Sequence, residues 1–183
     1  MQQEKELVRR AQQRDPEAFR QLYEENFNKI YRYLTLKVGN RTEAEDLTQQ
    51  VFLKALESIS SYKWRGMPFS SWLFRIAHNQ AVDYFRKGSK EKSVLLDEAR
   101  TVVGADPALL TEQRVTVEQL NLACKRLTEA QQEVISLRFA GGLSIAEVAE
   151  VMGKNQGAIK ALQHSAIVAL RQILPRGDEE QDG

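Results

Sequence analysis

The amino-acid sequence predicts an all-α protein made of two small helical domains joined by a flexible linker. Three observations carry that prediction: helix-capping residues recur along the chain, apolar residues return at helical spacing, and strand-like alternation bounded by paired turns is nearly absent. The 183 residues are 42% hydrophobic and 28% charged, the balance of a folded globular protein rather than a disordered or fibrous one. A chain of this length accommodates one ordinary domain, or two of about 60 to 90 residues with modest cores.

The elements follow in order. Asp15 and Pro16 form an N-cap and first-position pair, after which Phe19, Leu22, Tyr23, Phe27, Ile30 and Leu34 recur on one helical face. Thr42 to Glu45 reads as a capping box leading into Leu47, Val51, Phe52, Ala55 and Ile59, so a second helix is expected to begin there and pack on the first. Ser60 to Pro68, which contains Gly66 and Pro68, reads as a loop, and Phe69 to Arg86 is helical again. Residues 1–88 make the first domain. Over 89–112 the apolar spacing turns irregular around Gly104 and Asp106-Pro107, which predicts a linker holding at most short helices. Residues 113–175 make the second domain, with capping boxes at Thr128 to Gln131 and Ser144 to Glu147 and a helix-ending glycine at Gly153. Residues 176–183 are an acidic tail, expected to fray.

Several function classes are disfavoured at this level. No apolar run approaches the roughly 20 residues that cross a bilayer, and Met1 to Arg10 lacks a signal-peptide core, so no membrane insertion and a cytoplasmic location are expected. Cys124 is the single cysteine, and with only His78 and His164 beside it there is no metal-ligand spacing; it is expected in a core, and no cofactor is expected. No nucleophile, base and orienting group stand together, and Ala140-Gly141-Gly142 lacks a phosphate-loop pattern, so the chain is not expected to be an enzyme.

The formal charge of +1 conceals a segregation of sign. Lys63, Arg65, Arg75, Arg86, Lys87, Lys90 and Lys92 face only Asp83 and Glu91 within 63–92, a stretch suited to phosphates. At 100 degrees per residue, Leu73, Ile76, Ala77, Ala81 and Tyr84 fall on one side of the helix from Phe69. Arg75, Asn79, Val82 and Arg86 fall on the other, flanked by His78, which makes a face of nucleic-acid contacts. The preceding loop places Trp64 between Lys63 and Arg65, a combination that can hold an unstacked base.

In the second domain, Ser144 to Met152, Gly153, and a helix from about Asn155 to Leu174 form a helix-turn-helix signal. Ala158, Leu162, Ala166, Ala169 and Ile173 share one face of that last helix, and Gln156, Lys160, Gln163, His164 and Arg171 the opposite one. The polar face has base-reading chemistry, since Gln pairs with adenine through two contacts and Lys or His reaches guanine or phosphate. Two plainer readings compete: solvated helix faces, and a self-sufficient helix-turn-helix regulator with a sensor or dimerisation domain in front.

The stretches Ala44 to Leu53 (AEDLTQQVFL), Phe69 to Arg86 (FSSWLFRIAHNQAVDYFR) and Leu143 to Ala149 (LSIAEVA) resemble regions 2.2, 2.3 to 2.4 and 4.2 of the extracytoplasmic-function sigma factors of bacterial RNA polymerase, in matching order and separation. The resemblance implies a factor that binds core polymerase and directs promoter-specific initiation without catalysis of its own. It implies that Asp46, Gln49 and Gln50 meet the clamp helices of the largest polymerase subunit, and that the flap of the second-largest subunit is a further partner. Lys63, Trp64, Arg65 and Asn79 would capture a base flipped from the −10 element, with Arg75, His78, Arg86 and Lys87 along the same DNA. Gln156, Lys160, Gln163, His164 and Arg171 would read the −35 element, and an anti-sigma factor is a common partner in the family. Two departures stand out: His78 replaces a usual arginine, and Leu162 and Ser165 occupy positions that are often basic.

Overall fold

The computed structural model describes residues 2–91 and 122–174, and the described residues are helical with no strand. Most of the 89–112 linker expectation and the whole 176–183 tail expectation lie outside these residues. Helix α1 (Gln2–Gln12) is an element the sequence reading passed over as a polar N-terminus; it buries Leu7, Val8 and Ala11. Helix α2 (Pro16–Val38) starts on Asp15, whose carboxylate accepts from the amides of Glu17 and Ala18. Gly39 closes it at φ +70°, a conformation that favours glycine. That stop moves the start of helix α3 (Arg41–Ser58) two residues earlier than expected: Asn40, extended just after Gly39, accepts from the Glu43 amide, and Thr42 lies inside the helix.

A 3-10 turn (Ile59–Ser61) and the loop through Pro68 lead into helix α4 (Phe69–Glu91). Two long-range bonds fix this junction to α1. Gln12 donates from Nε2 to the carbonyls of Ile59 and Tyr62 at 3.1 and 2.7 Å, and Glu4 accepts from the Phe69 amide at 3.0 Å, satisfying one of α4's orphan donors.

In the second half, α5 (Glu129–Ile135) begins in the Thr128–Gln131 capping box and runs into a π-helical turn (Ser136–Ala140). Helix α6 (Ile145–Met152) begins in the Ser144–Glu147 capping box and ends on Gly153 at φ +62°; α7 (Gln156–Ile173) is capped by Asn155. A small cluster of Leu127, Ile135 and Ala166, with Cys124 half-buried against it, holds α5 to α7. The main core is continuous across both halves: Leu22, Ile30, Leu34, Val51, Leu73 and Ala77 join Val134, Leu137, Leu143 and Val148.

Helix α4 is therefore covered on two sides. Leu73, Ala77 and Ala81 lie on its expected apolar face, but Phe74, one position off, is also fully buried. Its ring meets Tyr33 edge-on at 5.5 Å, and a Cβ placed on Gly141 would stand 2.8 Å from it. Only glycine lets the backbone after the π-helical turn approach α4 so closely.

Candidate nucleic-acid interface

The outer face of α4 carries exposed Arg75, Asn79, Arg86 and Lys87, with His78 half-buried at its margin. Arg86 pairs with Asp83 at 3.0 Å, one turn before it. Where α4 meets the preceding loop, a hollow of about 410 Å³ is lined by Lys63, Arg65, Met67, Trp72, Arg75 and Glu150. Three cations and a tryptophan around a nucleobase-sized space can stack a base and hold its phosphate.

The aromatics in that hollow are Tyr62 and Trp72, neither of which has a DNA role in the sequence analysis. Both tryptophans are half-buried against the core, Trp72 beside the rings of Tyr62 and Phe69, while Trp64 lines a different hollow, against α1 near Val8 and Gln12. Successive residues of an extended segment point to opposite sides, so Lys63 and Arg65 share one side of the loop and Trp64 takes the other. Asn79 lies in an adjoining hollow with Lys54 and Glu57, which shares Ser58 and Ile76 with the first.

In the helix-turn-helix, Ile159 and Ala166 anchor α7 in the core, leaving Gln156, Lys160, His164 and Arg171 exposed. Gln163 is half-buried, and its Oε1 accepts from Arg138 Nε at 2.8 Å while Arg138 also donates to the Leu143 carbonyl. Arg138 thus sets the orientation of the Gln163 amide, whose oxygen keeps one lone pair for a base. On α3, Asp46, Gln49 and Gln50 are exposed, and Leu53 and Leu56 continue the same stripe at 56% and 52% exposure. The two leucines were legible from helical spacing as apolar residues on the outer side of α3.

The strongest electrostatic feature is Glu133, 4% exposed at the seam between the halves. Its Oε1 accepts from the Tyr33 hydroxyl at 2.6 Å and from His78 Nδ1 at 2.9 Å, and its Oε2 pairs with Lys37 Nζ at 2.6 Å. Because an ionised carboxylate only accepts, His78 carries a proton on Nδ1 here. Burial pushes the Glu133 carboxyl up, but the His78 hydrogen bond and the Lys37 charge and hydrogen bond, with help from Tyr33, bring it down to about 2. Burial and the same carboxylate hold the Tyr33 phenol well above its usual range. Nearer the loop, Arg75 donates to Glu150 Oε1 at 2.7 Å and to the Glu150 carbonyl at 3.0 Å, and Ser71 donates to Glu147 at 3.4 Å. Nothing in the sequence signalled these pairings, since their partners lie 55 to 100 residues apart.

Two sequence families match the two halves separately: Sigma-70 region 2 over residues 22–91 and Sigma-70 region 4 over residues 123–172. Together with the helical fold and the cationic α4 face, they define the class as a promoter-recognition factor of RNA polymerase. The chain is 39% identical over 175 residues to the ECF RNA polymerase sigma factor BldN of Streptomyces coelicolor, covering 93% of this chain and 65% of that one. It is 30% identical over 170 residues to the ECF RNA polymerase sigma factor SigX of Bacillus subtilis, covering 90% of this chain and 87% of that one. Among solved structures, CnrH in complex with the cytosolic domain of CnrY superposes with a TM-score of 0.71 at 21% identity, covering 93% of this chain and 96% of that one, a likeness of fold. The chain belongs to the ECF RNA polymerase sigma factor family, transcription initiation factors that are not enzymes. Among the described residues no helix is long and apolar enough to cross a membrane.

Proposed function

We propose that this sigma factor engages its promoter and polymerase through three separate surfaces. The α3 stripe of Asp46, Gln49 and Gln50, extended by Leu53 and Leu56, binds the clamp helices of the largest polymerase subunit, while the second domain meets the flap of the second-largest. Helix α7 reads the −35 duplex through Gln156, Lys160, Gln163, His164 and Arg171. The α4 face and its loop take the melted −10 strand: Lys63, Arg65 and Arg75 hold phosphate around a base stacked on Trp72, with Asn79, His78, Arg86 and Lys87 along the strand. Trp64 supports the loop from behind. On this reading residues 1–88 and 113–175 act as the two promoter-binding domains, with 89–112 between them.

The observation that carries this reading is the hollow at the start of α4, where Lys63, Arg65 and Arg75 surround Trp72. Unstacking costs a few kcal/mol per base, which stacking and charge-assisted hydrogen bonds offset without nucleotide hydrolysis. Because its polymerase and promoter partners are cytoplasmic, the factor works in the cytoplasm, and family membership supports an anti-sigma factor as its repressing partner. The test is in vitro transcription with purified core polymerase and a promoter library randomised at both elements. Trp72→Ala, which leaves the helix-turn-helix intact, is expected to keep −35 selectivity and lose open-complex formation; unchanged permanganate reactivity of the −10 strand would remove Trp72 from the site.

A further inference from the structure

Three acidic side chains of the second half sit on the face of α4 assigned above to the −10 strand. Glu150 takes up Arg75 and lines the hollow that would receive the base; Glu147 reaches Ser71 in the next turn; Glu133 holds His78 from the far side of the same seam. These carboxylates stand where phosphates would stand if a strand lay along α4. Around them the fit is close, with Phe74 fully buried against the backbone at Gly141. The −35 face is treated differently: Gln156, Lys160, His164 and Arg171 of α7 remain exposed.

We infer that the packed arrangement is an autoinhibited state of the sigma factor, in which Glu133 and Glu150 act as a clamp that occupies the −10 reader and must open before a melted strand can bind. The inference rests on the assignment of α4 to the −10 element and adds a conformational gate to it. The two acids divide the work. Glu133 is buried and answers Lys37, Tyr33 and His78 at once, so its removal leaves two α2 groups and one α4 group short of a partner. Glu150 forms an exposed pair with Arg75 that adds little stability and masks the cation directly. His78 belongs with Glu133, since its Nδ1 hydrogen-bonds that buried carboxylate from α4 while its ring lies half-buried at the edge of the DNA-facing surface. An opened clamp leaves the recognition helix unchanged, so polymerase or duplex bound at α7 gains the −10 face only after the halves separate.

Two measurements on the full chain, in a Cys124→Ala background, test the gate. In the first, spin labels at Glu45→Cys and Gln172→Cys, both exposed and away from the seam, report the separation of the halves by pulsed electron resonance. The free protein is expected to give one narrow distribution, and Glu133→Gln with Glu150→Lys a broad one shifted to longer distance; the same distribution in both proteins overturns the clamp. In the second, Ser71→Cys and Glu147→Cys are bridged by a short bis-methanethiosulfonate and assayed with core polymerase before and after reduction. Initiation is expected to rise by about tenfold or more when the bridge is cut, the mark of a strongly biased two-state equilibrium. Equal initiation by bridged and reduced protein overturns the gate while leaving the sigma-factor reading intact. Failure of both forms, with the label distances behaving as expected, counts instead against the assignment of α4 to the −10 element.

Discussion

Replacing Glu133 by glutamine keeps the size of the side chain and removes its charge at the seam. Glutamine still offers an oxygen to Tyr33 and His78 but turns an amide donor toward Lys37 Nζ, which stands 2.6 Å from the present Oε2. The structure sets the magnitude. A carboxyl held at about 2 instead of its ordinary 4.5 is stabilised in the ionised form by about 3 kcal/mol at neutral pH. Loss of one partner from a buried ion pair costs about as much. Because the folded-state value lies below the ordinary one, this stabilisation is complete above about pH 5 and drains away as the pH falls toward 2. At pH 3.5 only about 2 kcal/mol of it remains. The assay is urea unfolding of the full chain, followed by circular dichroism at pH 7 and pH 3.5, with Glu150→Gln as the control. Glu150 is half-buried with its carboxylate open to solvent, and its pair with Arg75 is expected to be worth less than about 1 kcal/mol at either pH. A loss in Glu133→Gln below about 1 kcal/mol at pH 7, or a loss that does not shrink at pH 3.5, would refute the argument.

Three further outcomes are expected. Asp46→Ala with Gln50→Ala, both on the exposed side of α3, weakens capture of core polymerase in a pull-down and leaves the circular dichroism spectrum unchanged. Lys160→Ala lowers promoter use across a randomised −35 element, whereas Gln163→Ala relaxes preference at one base by about 1 to 3 kcal/mol. Arg138→Ala, which frees the Gln163 amide, shifts the same preference without touching DNA; equal profiles for Gln163→Ala and Lys160→Ala count against direct reading. Trimming 92–106 abolishes initiation at standard spacing, since the segment 92–112 beyond α4 reaches at most about 70 Å and two duplex turns already span about 70 Å. Full transcription by the trimmed protein would refute bridging of the two elements.

Local signals in the sequence were sufficient for most of the helices. Asp15, the boxes at Thr128 and Ser144, and Gly153 act within one turn of backbone, so their meaning does not depend on the rest of the chain. The start of α3 was misplaced because two caps competed, and Gly39 closing α2 favoured Asn40 over Thr42. Helix α1 was missed because its burial depends on contacts with α2 and on Glu4 capping α4, both outside its own sequence. Faces were legible where a helix is covered on one side only, as α7 is, with Lys160 and His164 left exposed on the other. Where α4 is covered on more than one side, periodicity placed Leu73 and Ala77 and left Phe74 unexplained. That Trp72 and not Trp64 lines the hollow beside Arg75 has the same origin, since loop residues take their sides from what packs beneath them. Glu133 marks the far limit. In sequence it is one acidic residue after a capping box, and only folding brings Tyr33, Lys37 and His78 around it, where exclusion of water strengthens the hydrogen bonds that ordinary polar groups make across the two halves.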